Sequence, residues 1–324
     1  MMRFLRRHGW SLGLFVLLGL MVGLTNLIQP GYGASGLESL ARAALPFAFA
    51  ASAQAVVVIV GGVDLSVASM MAVTSVTAAA LMERVSPGMA APVVALVLVQ
   101  GACLGAVNGT LVVLSRVPDI VVTLAMLFVW EGVALMILGS PGGAAADWLE
   151  ALLDGHPALP GIPGAVTRWV PNALIVLAVL AGAVWLPIRR SRFGLAIYAV
   201  GSDQVAAFRT GVPVAATRIG AYAVAGLFAG MGGLALTLAT GIGAPIPGPY
   251  LLASVAAVVL GGVVLGGGKG GLLGPIVAVF ILRLVRTILT FLSVDPNVTT
   301  IIEGTIMVAV VMAGGLMAMR RRAA

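Results

Sequence analysis

Charged residues are scarce in this chain of 324 residues. They make up 9% of it, whereas 60% of the residues are hydrophobic and the mean hydropathy is +1.14. A soluble globular protein carries roughly 25% charged residues, so this composition excludes an ordinary water-exposed surface. Lipid must cover most of the outside. A net charge of +7 is what basic cytoplasmic loops give to a membrane protein, and we do not expect nucleic acid as a partner.

Cysteine and histidine are also rare. The single cysteine, Cys103, lies in an apolar run, so neither an intrachain disulfide nor a cysteine metal site can form. The two histidines, His8 and His156, are far apart in the sequence. Metal-ligand clusters, paired catalytic carboxylates and a Ser–His–Asp set are not recognisable. We therefore expect no bound metal and no enzymatic activity.

One glycine-rich stretch, GGVVLGGGKGG at 261–271, resembles a nucleotide-binding loop but does not fit its pattern. Counting back from Lys269, the first required glycine would fall at Val263, and Gly270 replaces the Ser or Thr that binds magnesium. The sequence therefore predicts that this chain binds no nucleotide.

Long apolar segments predict an all-α polytopic membrane protein, because about 20 apolar residues are needed to cross a bilayer as a helix. The basic start followed by an apolar run could be a signal peptide, but the run continues to Ile28 and favours an uncleaved first span. The ten predicted spans are 10–29, 44–62, 65–82, 90–115, 119–138, 170–188, 218–240, 250–267, 272–293 and 299–319.

The basic residues predict the orientation of these spans, because cytoplasmic loops are enriched in Lys and Arg. An even number of spans places both termini on one side. With the termini in the cytoplasm, only Arg42, Arg84 and Arg168 fall outside. The basic residues that fall inside are Arg3, Arg6, Arg7, Arg116, Arg189, Arg190, Arg192, Arg209, Arg218, Lys269, Arg320, Arg321 and Arg322.

We expect residues 1–324 to form a single transmembrane domain, since neither long connection could hold a soluble domain. The four spans of 44–138 and the four of 218–319 have similar lengths and small, Gly- or Ala-rich first helices. Five spans separate the two sets, so they would insert in opposite orientation, as in transporters built from inverted repeats. Chance similarity between apolar segments is the alternative.

The cytoplasmic connection, 189–217, contains a predicted short helix. Asp203 can cap a helix of Gln204 to Thr210, and Gly211 with Pro213 would end it. Such a helix outside the membrane is either an interfacial linker or a docking element for a soluble partner.

Three stretches resemble the membrane subunits of bacterial ABC importers for ribose and related monosaccharides. They are VVVIVGGVDLSVASMMAV, YAVGSDQVAAFRTGV and SVAAVVLGGVVLGGGKGGLLG, in the order typical of that family. The resemblance extends from about residue 40 to the C-terminus.

The resemblance implies a permease in the bacterial inner membrane, paired with a second copy or a paralogue. Cytoplasmic ATP-binding subunits would bind ATP and magnesium, and a periplasmic substrate-binding protein would deliver a monosaccharide or similar small polyol. The residues implied to couple this chain to the ATPase are Gly201, Asp203, Ala206, Ala207 and Gly211. A stand-alone ion-coupled transporter is the alternative, with Glu131 or Glu303 as the ion-binding group.

Four charges fall inside predicted spans and away from the span edges: Glu131, Arg283, Arg286 and Glu303. Each arginine would cost roughly 2.5–3.5 kcal/mol at a bilayer centre if uncompensated. One interpretation is an ion-pair network among the four residues. The other is that Arg283 or Arg286 faces the path and attracts an anionic or hydroxyl-rich solute.

Three further polar residues are candidates for the substrate path. Asp64 and Ser66 follow Gly61 and Gly62, where they either cap the third span or contact the solute. Asn108 lies in an otherwise apolar span and either faces the path or joins helices by hydrogen bonds. Relatives commonly have two acids just after the start of the eighth span, where this chain has Leu251 and Ala253.

Overall fold

A computed structural model describes residues 2–158, 164–246 and 248–323, with the side chains of residue 10 and of 12–312 within these ranges. In these ranges the regular structure is helical, apart from an isolated antiparallel bridge between Gly142 and Gly243. The α-helices are α1 (Met2–Ile28), α2 (Gly33–Ile59), α3 (Val67–Met82), α4 (Ala90–Ser115), α5 (Asp119–Ile137), α6 (Asp147–Ala151), α7 (Gly164–Thr167), α8 (Asn172–Arg190), α9 (Arg192–Ser202), α10 (Gln204–Arg209), α11 (Val214–Thr240), α12 (Tyr250–Leu260), α13 (Leu273–Phe291) and α14 (Pro296–Ala323).

The protein is an all-α, polytopic membrane protein. Within the described residues, 6 helices are long and apolar enough to cross a membrane: α2, α4 with the turn before it, α5, α8, α11 and α13. Shorter apolar helical segments are Leu12–Ile28, Val67–Met82, Tyr250–Leu260 and Pro296–Met312. Each of the ten predicted segments overlaps one of these helices.

Several helix boundaries differ from the prediction, and local contacts or backbone conformation explain two of the differences. Helix α2 begins at Gly33 rather than near residue 44, because its charged first turns are satisfied by the loop after α6: Arg42 forms an ion pair with Asp154, and Glu38 Oε1 accepts a hydrogen bond from Gly155 N at 2.5 Å. Helix α12 ends at Leu260 rather than at 267. Gly262 there has φ +81°, a left-handed conformation that terminates helices.

Helix α11 lies at the centre of the fold and packs against α2, α3 and α4. Its contact with α4 is made by glycines spaced four residues apart, Gly101 and Gly105 on α4 and Gly226 and Gly230 on α11. A Cβ added at Gly105 would overlap Tyr222 O and lie 2.9 Å from Gly226 Cα. Lipid tails are as apolar as the side chains, so the hydrophobic effect does not drive helices together inside a membrane. Close backbone contact of this kind stabilises helix pairs instead.

The variant Gly105→Ala tests this contact. Alanine favours a helix over glycine, but at this position its methyl group must push α4 and α11 apart, at a cost of about 1–3 kcal/mol. We expect a lower melting temperature for the detergent-purified protein. Gly132→Ala on α5 is the matched control, because nothing lies within 4 Å of a Cβ there. Equal melting temperatures for the two variants would contradict the close packing.

Candidate functional site

Connections between the helices gather at two opposite ends of the bundle. At one end, called here the outer-loop end because the sequence predicts its loops outside, Arg42 of α2 pairs with Asp154, and Trp148 Nε1 donates a hydrogen bond to Pro87 O at 2.9 Å. The other end contains the end of α2, helices α9 and α10, and the loop after α12. The seventeen residues of helix between Arg42 and Ile59 separate the two ends by about 26 Å.

Four glycines form a backbone contact at that second end, and we call Gly61, Gly201, Gly267 and Gly268 the glycine junction. Gly268 N donates a hydrogen bond to Ile59 O at 2.9 Å, just before α2 ends. A Cβ at Gly201 would overlap Ile59 O and lie 2.6 Å from Gly268 N. Gly61, Gly267 and Gly268 also have positive φ, from +70° to +94°. The three stretches that carry the family resemblance therefore meet in one place, and only glycine fits there.

Tyr198 of α9 adds a side-chain bond to this junction. Its hydroxyl donates to Gly270 O at 2.8 Å, in the loop after α12. Burial raises the pKa of the Tyr198 phenol above its ordinary value, so it stays a neutral donor. Helix α9 is thus tied to the glycine-rich loop by backbone packing and by a hydrogen bond.

The predicted capped helix is confirmed as α10. Asp203 Oδ1 accepts hydrogen bonds from Val205 N and Ala206 N, each at 2.9 Å, and satisfies two amides of the first turn. The helix ends at Arg209, one residue before the predicted end, and Gly211 follows with φ +85°. Ala206 is exposed, whereas Ala207 is buried against the membrane domain.

The outward face of α10 is apolar. Val205 is 60% exposed and Phe208 is 73% exposed, and residues three apart lie on one face of a helix. This face is too short to be a transmembrane segment, and it lies beside the exposed Arg209. It has the chemistry of a small protein contact surface.

The structure joins Asp64, Ser66 and Asn108 in one buried network. Asp64 Oδ1 accepts from Ser66 N at 2.8 Å and from Ser66 Oγ at 2.6 Å, which fixes the start of α3. Asn108 Nδ2 donates to Ser66 Oγ at 2.6 Å, and Trp130 Nε1 donates to Asn108 Oδ1 at 3.0 Å. Asn108 therefore joins α3, α4 and α5, and the three predicted residues are each 0% exposed.

Sequence reasoning missed a second polar cluster beside this network. Arg218 Nη2 lies 2.5 Å from Asp119 Oδ1, and Tyr222 Oη donates to Asp119 Oδ2 at 2.8 Å. A Cβ at Gly62 would come within 2.8 Å of Tyr222 Oη, so the cluster lies against the break between α2 and α3. The available signal was the spacing of Arg218 and Tyr222, which places both on one face of α11.

Of the four predicted intramembrane charges, the structure pairs two. Arg286 Nε and Nη2 donate to the two oxygens of Glu303 at 2.7 and 2.8 Å, a bidentate pair between α13 and α14. Arg283 instead lies over the ring of Phe47, with its Cζ 4.8 Å from the ring centroid. Glu131 on α5 belongs to no ion pair among the side chains that the structure describes.

A family model described as branched-chain amino acid transport system, permease component, matches residues 36–311. The chain belongs to this family. The ribose import permease protein RbsC of Escherichia coli (strain K12) is 29% identical over 299 residues, which cover 90% of this permease and 89% of the relative. The autoinducer 2 import system permease protein LsrD of Photorhabdus temperata is 26% identical over 320 residues, covering 94% and 91% of the two chains.

These matches confirm the resemblance that the three stretches indicated. The chain is the transmembrane permease subunit of an ABC importer and not an enzyme, since in such importers ATP is hydrolysed by a separate subunit. No solved structure matches the chain.

The pair between Arg286 and Glu303 can be tested by neutralisation. Glu303→Gln leaves Arg286 without its counter-charge, and we expect the free energy of unfolding to fall by about 1–3 kcal/mol. The loss is smaller than for a fully buried pair, because Arg286 is partly exposed. Combining Glu303→Gln with Arg286→Gln should recover part of the loss, as measured by thermal unfolding.

Glu131→Gln is the control, as the same chemical change at a residue outside any described pair. A loss of stability in Glu131→Gln as large as that in Glu303→Gln would show that the bidentate pair is not what stabilises α13 against α14. Purely additive effects of Arg286→Gln and Glu303→Gln would show the same.

Proposed function

We propose that this permease forms, with a second copy or a paralogue, the path by which a monosaccharide or similar small polyol crosses the bacterial inner membrane. The names of its relatives, import permeases for ribose and for autoinducer 2, support this class of solute. ATP and magnesium bind to the partner ATPase, and this chain itself binds no cofactor.

All ten apolar helices cross the membrane in this proposal, with both termini in the cytoplasm. Two groups of contacts support the orientation. Loops expected outside contact one another at the outer-loop end, as in the pair of Arg42 with Asp154. Segments expected inside meet at the glycine junction, near which lie Arg218 and Lys269.

Helix contacts also support the inverted repeat of 44–138 and 218–319. The repeat relates α2, α3, α4 and α5 to α11, α12, α13 and α14, in that order. Helix α11 packs against α3 and α4, and its counterpart α2 packs against α12 and α13. Likewise α3 packs against α4 and α5, and α12 against α13 and α14. A repeat of this kind places the solute path between its two halves.

The exposed apolar face of α10 is the observation that carries the coupling role. A short, capped helix that presents Val205 and Phe208 beside Arg209 suits a cleft in a soluble subunit. Cytoplasmic ATP-binding subunits are the proposed occupants, and a periplasmic substrate-binding protein docks at the outer-loop end. A movement of α10 would displace Gly201, and Gly201 would in turn displace the break after α2 and the loop after α12.

The variant Phe208→Ser tests the docking role of α10. The side chain is exposed, so we expect an unchanged melting temperature of the permease. Removing a buried aromatic contact from an interface costs about 2 kcal/mol or more, so copurification of the coexpressed ATP-binding subunit should fall. Ala207→Pro should have a stronger effect, because it removes the bond from Ala207 N to Asp203 O at 2.9 Å.

Ile246→Ser is the matched control, since Ile246 is 64% exposed near the outer-loop end. Retention of the ATP-binding subunit by Phe208→Ser at the level of Ile246→Ser would exclude α10 as the docking helix.

A further inference from the structure

A cavity of about 410 Å³ lies where the turn between α1 and α2 meets α13. Small-solute sites are typically about 300–1,000 Å³ in volume. The polar residues in its wall are Gln29, Tyr32, Ser35, Ser39, Arg283 and Thr287. Among the described residues that line it there is one cation and no acid, so the cavity has a net positive wall.

Arg283 is the only charged residue in this described lining. Its Nε is buried and has no hydrogen-bond partner among the described residues, and one face of its guanidinium is covered by Phe47. It also lines a smaller neighbouring cavity with Arg286 and Glu303. Because Glu303 is bound to Arg286 in bidentate geometry, its charge is already balanced and Arg283 is left as the excess cation.

Tyr32 provides a second donor without a partner. The residue is 6% exposed, and its buried hydroxyl makes no hydrogen bond within the described part of the chain. Its ring is held edge-on against Phe291, with centroids 5.8 Å apart. Buried polar groups nearly always have a partner, so Tyr32 and Arg283 are two donors in this wall whose hydrogen bonds the described residues do not satisfy.

The remaining polar groups suit hydroxyl groups of a solute. Ser35 Oγ and Thr287 Oγ1 each donate to a backbone carbonyl, at 3.4 and 3.1 Å, so their oxygen lone pairs remain free to accept. Ser39 and Gln29 add a further hydroxyl and an amide. The wall therefore combines one site for an anion with several for hydroxyl groups.

We infer that this cavity binds a sugar acid, a polyhydroxylated solute whose carboxylate is held by the guanidinium of Arg283. The inference rests on the proposed sugar path and narrows its solute to an anion. A guanidinium binds a carboxylate by charge-assisted hydrogen bonds, whereas a neutral sugar would leave the charge of Arg283 unbalanced.

Saturation-transfer NMR on the purified full-length permease tests this inference without the partner subunits. The probes are glucuronate and glucose, which differ chiefly in the carboxylate. We expect glucuronate to bind more tightly than glucose, and Arg283→Gln to weaken glucuronate binding about tenfold or more, while glucose binding is unchanged. Arg283→Lys should retain part of the affinity, since it keeps the charge.

Arg168→Gln is the matched control, an exposed arginine that does not line this cavity. Equal affinity for the two sugars, or glucuronate binding that Arg283→Gln leaves unchanged, would overturn the inference. So would Arg283-dependent binding of short-chain phosphatidylglycerol without any glucuronate signal, which would assign the site to a lipid headgroup. If glucose still binds in either case, the proposed monosaccharide path stands and only the assignment to a sugar acid fails. The docking role of α10 is tested separately by its own variants.

Discussion

Direct backbone contact at glycines is the constraint on which this fold depends. In a membrane, helix association relies on close packing, and α4 meets α11 through glycines whose Cβ positions are occupied by the other helix. The same device recurs at the glycine junction, where α9, the end of α2 and the loop after α12 have no side chains between them. We therefore expect a displacement of α9 to move both of the other segments.

Charged residues in the membrane domain differ in whether they form an ion pair and where that pair lies. Arg218 and Asp119 balance each other where α5 and α11 begin, and Tyr222 satisfies the second oxygen of Asp119. Arg286 is balanced by Glu303, so this pair joins α13 to α14 without a free charge. Arg283 and Glu131 belong to no described ion pair, and the side chain of Arg283 lines a cavity with hydroxyl groups.

Hydropathy was sufficient to find the ten apolar helices, because each predicted span overlaps one of them. It misplaced the start of α2, where charged residues that argue against a span are satisfied by the distant Asp154 and Gly155. Local signals in the sequence predicted α10 well, because Asp203 caps the helix that directly follows it and Gly211 adopts a left-handed conformation just after the helix ends. The bond between Arg218 and Asp119 connects positions 99 residues apart, and no local pattern indicates such a partner.

In the proposed coupling, the glycine junction transmits movement of α9 and α10 to the membrane domain. Solute uptake into vesicles that contain the complete importer with Gly201→Ala tests this role most directly. The added methyl group would overlap Ile59 O, whereas Gly182→Ala on α8 makes only an ordinary contact at 3.8 Å and serves as the control. We predict that Gly201→Ala retains the ATP-binding subunit but loses most uptake. Uptake equal to that of the Gly182→Ala importer would contradict the account.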